Sequence, residues 1–360
     1  MEETKGNPNI AVIMPAYNAE NCLETAARSI LDQSLKSIRL YIVNDGSTDA
    51  TAEITERLRT EDGRVIGITV PNGGPAAARN RGLEEALSDT WTDYVMFSDA
   101  DDAYLPDAFR TAVSAAENRA GQSFGDRAAD LVLLGFTILN PDGTKNDYFE
   151  PDALYTPDTL GAAFPDLYKA NLLNQVWGKL FSAALLRSFR LRFPDYRWGE
   201  DRLFVYDCLE RASLISVSSA CVYLYKIYSS ASLISGYYDK KPEVCKLSDG
   251  RVRELCTEFR VADDRYCRYM FLKSEFSCLT NLYTPGCSLS GGEKRAYAAR
   301  ILKDGYVQER IRGTGGGLPA KCLAALMSTG NITLNLLAAR ALTAMSTVAP
   351  LLFQKLKHKK

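Results

Sequence analysis

The first 140 residues alternate short apolar segments, rich in β-branched residues, with longer amphipathic segments. A continuous apolar run of about five residues indicates a strand buried on both faces, and apolar residues every three to four positions indicate a helix. The alternation is typical of βαβ units around a mostly parallel sheet. The predicted strands lie at 10–14, 39–43, 65–70 and 94–98. The predicted helices lie at 23–31, 48–58, 76–87 and about 106–119.

The pattern is less regular between residues 120 and 230, and it changes character after that. It predicts strands at 131–139 and 222–225, a helical stretch near 156–172 and a helix at 200–211. After about residue 235 strand patterns give way to long amphipathic helices. The sequence therefore predicts an α/β domain over 1–235, with a Rossmann-like, mostly parallel sheet flanked by helices, and a helical C-terminal region over 236–360.

The composition is that of an ordinary globular chain, with 46% hydrophobic and 24% charged residues. Collagen, coiled coil and extensive disorder are excluded on that basis. Because 43 basic residues balance 44 acidic ones, the net charge of −1 gives no global field that would favour nucleic acid as a partner.

The charge is nevertheless uneven, since no acidic residue follows Glu309 and the last 51 residues carry a charge of +8. From Leu334 onwards apolar residues keep a helical spacing, with Arg340 on the other side. Arg340, Asn335 and Pro350 argue against a membrane-spanning helix. Residues 318–360 are therefore predicted to form a basic amphipathic segment, which either lies on an anionic membrane surface or packs on the protein or a second subunit.

Nine cysteines without a C-x-x-C pair, and a start at Met1-Glu2-Glu3 without an apolar signal region, predict a reduced, cytoplasmic protein. Histidine chemistry is excluded, because the single histidine is His358 in the terminal lysine cluster. Four cysteines recur every eleven residues, which favours one buried stripe of a helix or coincidence over a zinc site. They are Cys245, Cys256, Cys267 and Cys278.

Polar or glycine-rich turns follow each of the first four predicted strands, at the sheet edge where open α/β folds bind ligands. Turn and capping chemistry explains each one singly, whereas four together favour a site. They are Pro15-Ala16-Tyr17-Asn18, Asn44-Asp45-Gly46-Ser47-Thr48-Asp49, Gly73-Gly74-Pro75-Ala76-Ala77-Ala78-Arg79-Asn80 and Asp99-Ala100-Asp101-Asp102.

The aspartate turn is the sharpest of these features. In an extended segment Asp99 and Asp101 point to one side and Asp102 to the other. Two carboxylates in one pocket favour Mg²⁺ or Mn²⁺, which one or two carboxylates, phosphate oxygens and waters commonly hold. Arg79 and Arg81 are the matching candidates for phosphate or base recognition.

In this order the motifs resemble the family 2 glycosyltransferases of the GT-A fold, particularly bacterial capsular and exopolysaccharide enzymes. Two later motifs extend the resemblance, which covers residues 10 to about 233: Val176-Trp177-x-Lys179-Leu180-Phe181 and Gly199-Glu200-Asp201-x-x-Phe204. The resemblance implies an inverting transfer from a UDP-sugar to a hydroxyl group of a glycan or lipid-linked glycan, in cell-surface polysaccharide synthesis. The basic C-terminal segment, in turn, predicts peripheral attachment to the inner face of the cytoplasmic membrane, and packing on a second subunit in a homo-oligomer is the alternative.

The same resemblance assigns roles to single residues. Asp45 would bind the uracil, Asp99 the ribose side of the nucleotide, and Arg79 the base or diphosphate. Asp101 would bind the divalent cation, and Asp201, with Glu200 beside it, would be the base that deprotonates the acceptor. The implied nucleotide-sugar contacts are Pro15, Ala16, Tyr17, Asn18, Asp45, Gly74, Arg79, Asp99, Ala100 and Lys226.

Simpler interpretations stay open at this stage. Acidic residues at 200 and 201 also suit the positive end of a helix dipole, and an exposed Lys226 needs no function. A sugar nucleotidyltransferase and a catalytically silent carbohydrate-binding protein are the alternative functions. The segment Leu289–Arg295 resembles the signature loop of transporter ATPases, but the chain has no phosphate loop, and Ser290 with Glu293 predicts a capping box.

Overall fold

The computed structural model describes residues 7–117, 127–227, 236–315 and 317–348. These fall into two compact units. The first contains the described residues up to 227 together with Leu255–Val261, and the second contains the remainder. The predicted domain boundary at 235, residues 118–119 of the predicted fourth helix and the predicted tail residues 349–360 lie outside the described residues.

Ten strands lie among the described residues of the first unit, and they form one mixed sheet. In chain order they are β1 (Ile10–Ala16), β2 (Ile38–Asp45), β3 (Val65–Val70), β4 (Tyr94–Phe97), β5 (Ala103–Tyr104), β6 (Leu131–Leu139), β7 (Lys145–Tyr148), β8 (Ala153–Tyr155), β9 (Lys179–Ser182) and β10 (Ile215–Lys226). The helices of this unit are α1 (Leu23–Leu31), α2 (Thr51–Glu61), α3 (Pro75–Ala86), α4 (Ala108–Glu117), α5 (Pro157–Leu160), α6 (Phe164–Lys169), α7 (Ala183–Ser188) and α8 (Glu200–Arg211).

The sheet runs in the order β3-β2-β1-β4-β9-β6-β10-β5, with β7 paired to β6 and β8 to β10. The first four of these strands are parallel, and Ala16 at the end of β1 lies opposite Asn44 near the end of β2. The carboxyl ends of β1 to β4 therefore meet at one edge, and the predicted α/β fold is confirmed. β6 and β10 are also parallel, whereas β9 joins the two parallel groups by pairing antiparallel with both β4 and β6.

Close packing of α3 on the sheet sets the position of the site. A Cβ atom at Gly82 would lie 2.6 Å from Cγ2 of Ile13 and 3.1 Å from Cγ2 of Val43. Only glycine lets the helix approach β1 and β2 so closely. The start of α3, which carries Arg79, is thereby held over the carboxyl edge of the sheet.

The structure departs from the predicted elements where side-chain bonds or short segments interrupt the pattern. α2 begins at Thr51 instead of 48, because Asp49 accepts hydrogen bonds from the backbone N–H and hydroxyl of Thr51. The helical stretch near 156–172 is two short helices, α5 and α6. Between them the backbone at Gly161 lies so close to the carbonyl oxygen of Phe259 that a Cβ atom would be 1.9 Å away.

The second unit is helical, as predicted for the C-terminal region. Its helices are α9 (Lys241–Glu258), whose last turn belongs to the first unit, α10 (Arg265–Asn281), α11 (Gly291–Leu302), α12 (Gly305–Arg312), α13 (Leu318–Ser328) and α14 (Ile332–Val348). α10 packs against α12, α13 and α14. The predicted capping box at the start of α11 is confirmed, since the N–H of Ser290 donates to Glu293 and the N–H of Glu293 donates to the Ser290 hydroxyl.

The four regularly spaced cysteines are buried, but they divide between two helices. Cys245 and Cys256 lie on α9, and Cys267 and Cys278 lie on α10. The predicted single stripe is therefore wrong, because the chain leaves α9 at Arg260, which has a φ of 55°. Within the described ranges no three histidine, cysteine, aspartate or glutamate side chains form a group that could hold a metal ion by themselves.

Two features of this unit bear on the predicted basic tail. The guanidinium of Arg310 is buried and paired with Asp249 at 2.8 Å and Asp264 at 3.2 Å, so its charge is compensated inside the unit. No helix in the part of the chain that the structure describes has the length and apolar character needed to cross a membrane.

Candidate active site

The turn after β1 presents one aromatic side chain at the sheet edge. Pro15 and Ala16 are the last residues of β1, and Tyr17, which follows them, is 42% exposed. Asn18 has a φ of 49°, its backbone N–H donates to the Ser47 hydroxyl, and its side-chain oxygen accepts from the N–H of Thr48. Asn18 therefore ties the turn after β1 to the turn after β2.

Asp45, the last residue of β2, is buried and organises the loop that leads into α3. Its two carboxylate oxygens accept hydrogen bonds from the backbone N–H groups of Gly73 and Gly74, at 2.8 and 2.9 Å. Gly74 has a φ of 84°, a conformation that glycine adopts without strain. Each carboxylate oxygen has a second lone pair, so Asp45 can hold this loop and still accept a hydrogen bond from a ligand.

Arg79 on α3 joins three carboxylates that are far apart in the sequence. Its guanidinium contacts Asp99 at 2.8 Å, Glu200 at 3.0 Å and Asp201 at 2.6 Å. Only 5% of the Arg79 side chain is exposed, compared with 28% for Asp99 and 21% for Asp201. Arg79 thus brings together the turn after β4 and the start of α8, which are about a hundred residues apart in the sequence.

The pKa values in this cluster follow from the pairing of one guanidinium cation with three carboxylates. Burial lowers the pKa of Arg79, but the charges of Asp201, Asp99 and Glu200 outweigh burial and raise that pKa above its usual range. Burial raises the pKa of Asp201 to about 8, and the negative charges of Glu200 and Asp99 add to this effect. Arg79 opposes the rise without cancelling it, so Asp201 has a high proton affinity for a carboxylate.

The other two acidic residues of the aspartate turn have different environments. Asp102 is buried and accepts hydrogen bonds from the Tyr223 hydroxyl at 3.0 Å and from the Lys226 N–H at 2.9 Å. The same hydroxyl accepts a hydrogen bond from the N–H of Asp99, so Asp102 is a structural residue that fixes the turn. Ala100, also buried, separates Asp99 from Asp101.

Asp101 is the member of this turn that faces solvent. Partial burial of its carboxylate and the nearby charge of Asp99 raise the pKa of Asp101, and the charge of Lys226 opposes the rise. A carboxylate placed among others of like charge, with Arg79 already committed elsewhere, fits a divalent cation that prefers oxygen ligands. Further ligands would have to come from phosphate oxygens and water, since the described residues supply no three-residue metal group.

Three residues behind this edge were not among the predicted site residues. Lys179 on β9 is almost fully buried, and burial lowers its pKa to about 7 against the opposing charge of Asp201. Trp177 stacks on Tyr223, with ring centroids 4.6 Å apart. Trp177 and Lys179 lie in one of the motifs that carry the family resemblance, but nothing in the sequence distinguishes Tyr223 from other strand residues.

The segment that leads into α8 is fixed by the residue next to Arg79. The side-chain amide of Asn80 donates to the Phe193 carbonyl and accepts from the Phe193 N–H, both at 2.8 Å. The Phe193 ring stacks on Phe204 of α8 at 4.0 Å and meets Phe97 of β4 edge-on. Adjacent residues of α3 therefore position both Asp201 and the loop before it.

The fold and this edge define the class of protein. The structure titled S. aureus TarS 1-349 in complex with UDP matches this chain with a TM-score of 0.62, 18% sequence identity and coverage of 94% of this chain and 92% of the other. Together with the mixed sheet and the acidic turn after β4, this likeness confirms a GT-A fold.

The sequence comparisons point to one family. Residues 11–158 match the family model described as glycosyl transferase family 2. Glycosyltransferase GlyA of Streptococcus pneumoniae serotype 4 is 32% identical over 229 residues, which cover 61% of this chain and 30% of the relative. The putative glycosyltransferase EpsH of Bacillus subtilis is 27% identical over 236 residues, covering 65% and 64% of the two chains. The match thus spans less than two thirds of either relative.

Proposed function

We propose that this chain is an inverting glycosyltransferase that moves a sugar from a UDP-sugar to a hydroxyl group of a glycan or lipid-linked glycan in cell-surface polysaccharide synthesis. The observation that carries the proposal is the contact of Arg79 with Asp99 on one side and Asp201 on the other. A donor held at the aspartate turn would have its reacting carbon next to a carboxylate of high proton affinity. The match to the family 2 model and the UDP complex of the TarS structure support the choice of donor.

On the donor side, the turns after β1, β2 and β4 supply the contacts to the nucleotide. The exposed ring of Tyr17, with Pro15, Ala16 and Asn18, would line the base, and Asp45 would accept a hydrogen bond from the uracil imide. Gly74 and Ala100 present backbone without bulky side chains, which lets the nucleotide approach closely. Asp99 would hold the ribose, and Lys226 would face the diphosphate.

Arg79 takes a different role from the base or diphosphate contact that the resemblance implies. Its guanidinium is buried and occupied by three carboxylates. We therefore assign Arg79 a positioning role. It holds one carboxylate oxygen of Asp201 and keeps Asp99 close to this proposed general base.

In the transfer itself, the acceptor oxygen forms a bond to the anomeric carbon while the bond from that carbon to the UDP oxygen breaks. The electron pair leaves with UDP, and the acceptor proton passes to the Asp201 carboxylate. Attack on the face opposite the leaving group needs one base and inverts the configuration. Glu200, beside Asp201 and bound to Arg79, keeps the proton affinity of the base high by its charge.

Asp101 would hold a divalent cation, Mn²⁺ or Mg²⁺, which when bound neutralises charge that develops on the diphosphate. The solvent-facing position of Asp101 and the like charge of Asp99 beside it are the features that fit such an ion.

The remaining proposals concern location and partners. Leu334 and Leu337 on α14 and Leu318 at the start of α13 are exposed large apolar residues, in a stretch without acidic residues. We propose that this surface gives peripheral contact with the inner face of the cytoplasmic membrane, in a cytoplasmic protein that handles lipid-linked or surface glycans. A homo-oligomer that covers the same surface is the alternative.

The test of the function separates transfer from binding of the nucleotide. Asp201→Asn keeps the side-chain shape and the start of α8, but it removes the proton acceptor. We expect sugar transfer to fall about 10²- to 10⁴-fold, the usual contribution of a general base, with UDP affinity nearly unchanged. A donor screen with UDP-glucose, UDP-galactose and their N-acetylamino forms, read as UDP release, identifies the substrate.

The outcomes distinguish the alternatives. Transfer by Asp201→Asn at the wild-type rate, or loss of UDP binding in that variant, would contradict the assigned base. UDP binding without release from any donor would indicate a silent carbohydrate-binding protein. Formation of a nucleotide-sugar from a sugar phosphate would indicate a nucleotidyltransferase.

A further inference from the structure

The loop between α7 and α8, residues 189–199, is rich in arginine and leads directly to the proposed base. It contains Arg190, Arg192 and Arg197, all exposed, against a single acidic residue, Asp195. Arg202 follows in the first turn of α8. Among the described residues no carboxylate is paired with these arginines, so a ligand is a candidate partner for their charge.

Within the described ranges, these arginines lack the carboxylate partners that several arginines of the first unit have. Arg28, Arg39, Arg64 and Arg79 all contact carboxylates, whereas within the described ranges none of the four arginines near α8 forms an ion pair. The side chain of Arg192 donates to the carbonyl of Leu191, and the Nε of Arg202 is buried without a hydrogen-bond partner. Guanidinium groups without an ion-pair partner are suited to bind phosphate or carboxylate.

An aromatic ring lies among these charges. The guanidinium carbon of Arg202 lies 4.5 Å from the centroid of the Trp198 ring, and Trp198 is only three residues before Asp201. An indole stabilised on one side by a guanidinium is a flat apolar surface, and the C–H face of a sugar ring can pack on such a surface.

The loop is held rigidly enough to serve as a binding surface. The two hydrogen bonds between Asn80 and the Phe193 backbone fix it at one point, and α8 fixes it at the other. The segment with Arg197 and Trp198 is therefore short and tied at both ends.

We propose that this loop is the acceptor subsite and that it selects a glycan carrying phosphate or carboxylate groups. Arg192 and Arg197 bind the anionic groups, and Trp198, backed by Arg202, packs against the sugar ring whose hydroxyl faces Asp201. This inference rests on the proposed function, since the subsite is defined relative to the base. It adds the charge class of the acceptor, which neither the fold nor the family match specifies.

The experiment measures binding of three probes to the full chain by isothermal titration. Maltodextrin is neutral, phosphorylated maltodextrin carries phosphate groups, and oligogalacturonate carries carboxylate groups. We expect the two anionic probes to bind at least about tenfold more tightly than maltodextrin at low salt, and this preference to shrink between 50 and 300 mM NaCl. The ratio of the two anionic probes distinguishes phosphate from carboxylate as the preferred group.

Variants locate the effect on the loop. Arg192→Gln with Arg197→Gln removes two charges and is expected to abolish the anionic preference, whereas Arg110→Gln with Arg312→Gln removes two exposed charges elsewhere and leaves it unchanged. Trp198→Ala is expected to weaken binding of all three probes about tenfold, and Trp198→Phe to restore most of it.

Hydrolysis of UDP-sugar by water, measured on the same variants, keeps this inference separate from the proposed function. Unchanged donor hydrolysis with lost anionic preference supports the subsite. Equal binding of neutral and anionic probes by the wild-type chain, or an anionic preference that survives the loop double variant, overturns it. Absence of donor turnover in the wild type overturns the proposed function and leaves the binding result standing by itself.

Discussion

Arg79 is the residue on which the site depends, because a single guanidinium holds three carboxylates from two distant parts of the chain. Loss of one partner of a buried ion pair leaves the others uncompensated, typically at a cost of several kcal/mol. Substitution of Arg79 would therefore disturb the donor side and the base together, which makes it a poor choice for separating the two. Substitutions of Asp201 and Asp101 are more informative, because Asp201 tests the proposed base and Asp101 tests the donor side.

The environment of Asp201 predicts the pH dependence of transfer. A base works only when it is unprotonated, and burial raises the pKa of Asp201 to about 8. We expect kcat/KM to rise tenfold per pH unit below about 8 and to level off above it. UDP binding measured over the same range is the control. A rate that is flat from pH 5 to 9 would contradict the assigned environment.

Asp101 predicts how the site responds to a divalent cation. Asp101→Asn removes the charge of the solvent-facing carboxylate and keeps its size. We expect this variant to lose the enhancement of UDP binding by Mn²⁺ or Mg²⁺, measured by titration with and without chelator. Asp142→Asn, which changes an exposed aspartate in the turn between β6 and β7, is the matched control. Full activity of the wild type in chelator would refute the role of the cation.

For single residues, short local patterns could be predicted and long-range pairing could not. Asp45 ends an apolar strand, Asp99 and Asp101 follow one, and Asp201 stands at a helix start, where polar residues are conspicuous. Lys179 looked like one residue of a strand motif, because nothing local in the sequence indicates that β9 buries it behind α8. The commitment of Arg79 to carboxylates also depends on contacts with residues more than a hundred positions away.

Among the helices, α10 contains a buried acid that forms no ion pair with any other described residue. Glu275 is fully buried, and within the described residues neither of its carboxylate oxygens has a hydrogen-bond partner. Burial and the neighbouring Cys245 raise the pKa of Glu275 to about 9, so the folded chain keeps this group protonated at neutral pH. The unfolded chain releases that proton near pH 4, and stability is therefore lost as the pH rises from about 4 to about 9.

Glu275→Gln removes this dependence, because an amide does not ionise. We expect the two to be nearly equal at pH 4.5 and the variant to be more stable than the wild type by roughly 5 kcal/mol at pH 8, since the wild type loses about 1.4 kcal/mol per pH unit between these values. Urea unfolding of the full chain at both values measures the difference, with the exposed Glu254→Gln as a control. A variant less stable than the wild type at pH 8 would mean that Glu275 is ionised and stabilised in the folded chain.

The predictability of the elements depended on their length. β1, β2, β3 and β6 are six to nine residues long, and β4 is a short but continuous apolar run, so the sequence locates these five strands. β5, β7, β8 and β9 have two to four residues each and no apolar run of that kind, so no pattern marks them. The first half of β10 reads Ile-Ser-Val-Ser-Ser-Ala, and its register shifts near Ser218 and Cys221, so only its second half was predicted.

For the whole molecule, only part of the positive charge that the sequence places after Glu309 lies on the surface. Arg310 contributes to the C-terminal excess but is neutralised by Asp249, whereas Leu334 and Leu337 are 46% and 60% exposed. Burying a leucine in an apolar environment contributes about 2 kcal/mol, so the apolar face of α14 has more to gain at a membrane than the charge count alone suggests.

The exposed leucines give a direct test of the membrane proposal. Leu334→Glu with Leu337→Glu should reduce binding of the chain to phosphatidylglycerol vesicles at least about tenfold, since both apolar burial and charge attraction are lost. Ser88→Glu with Ser114→Glu introduces the same charge at exposed positions of the first unit and should have little effect. Equal vesicle binding by both variants, or a change from oligomer to monomer in the leucine variant, would favour a protein interface.

The insertion of β9 between β4 and β6 has a consequence for how the chain is made. A ribosome releases β4 and β6 long before residues 179–182, so until then neither strand has the neighbour that separates them in the finished sheet. The segment 11–158 that matches the family model ends before that neighbour is synthesised. A nascent chain of that length also lacks β10, so the edge of β4 that faces β9 and the edges of β6 that face β9 and β10 are all unpaired, and such edges recruit other strands. The segment that the family model matches is therefore shorter than the chain that completes the sheet.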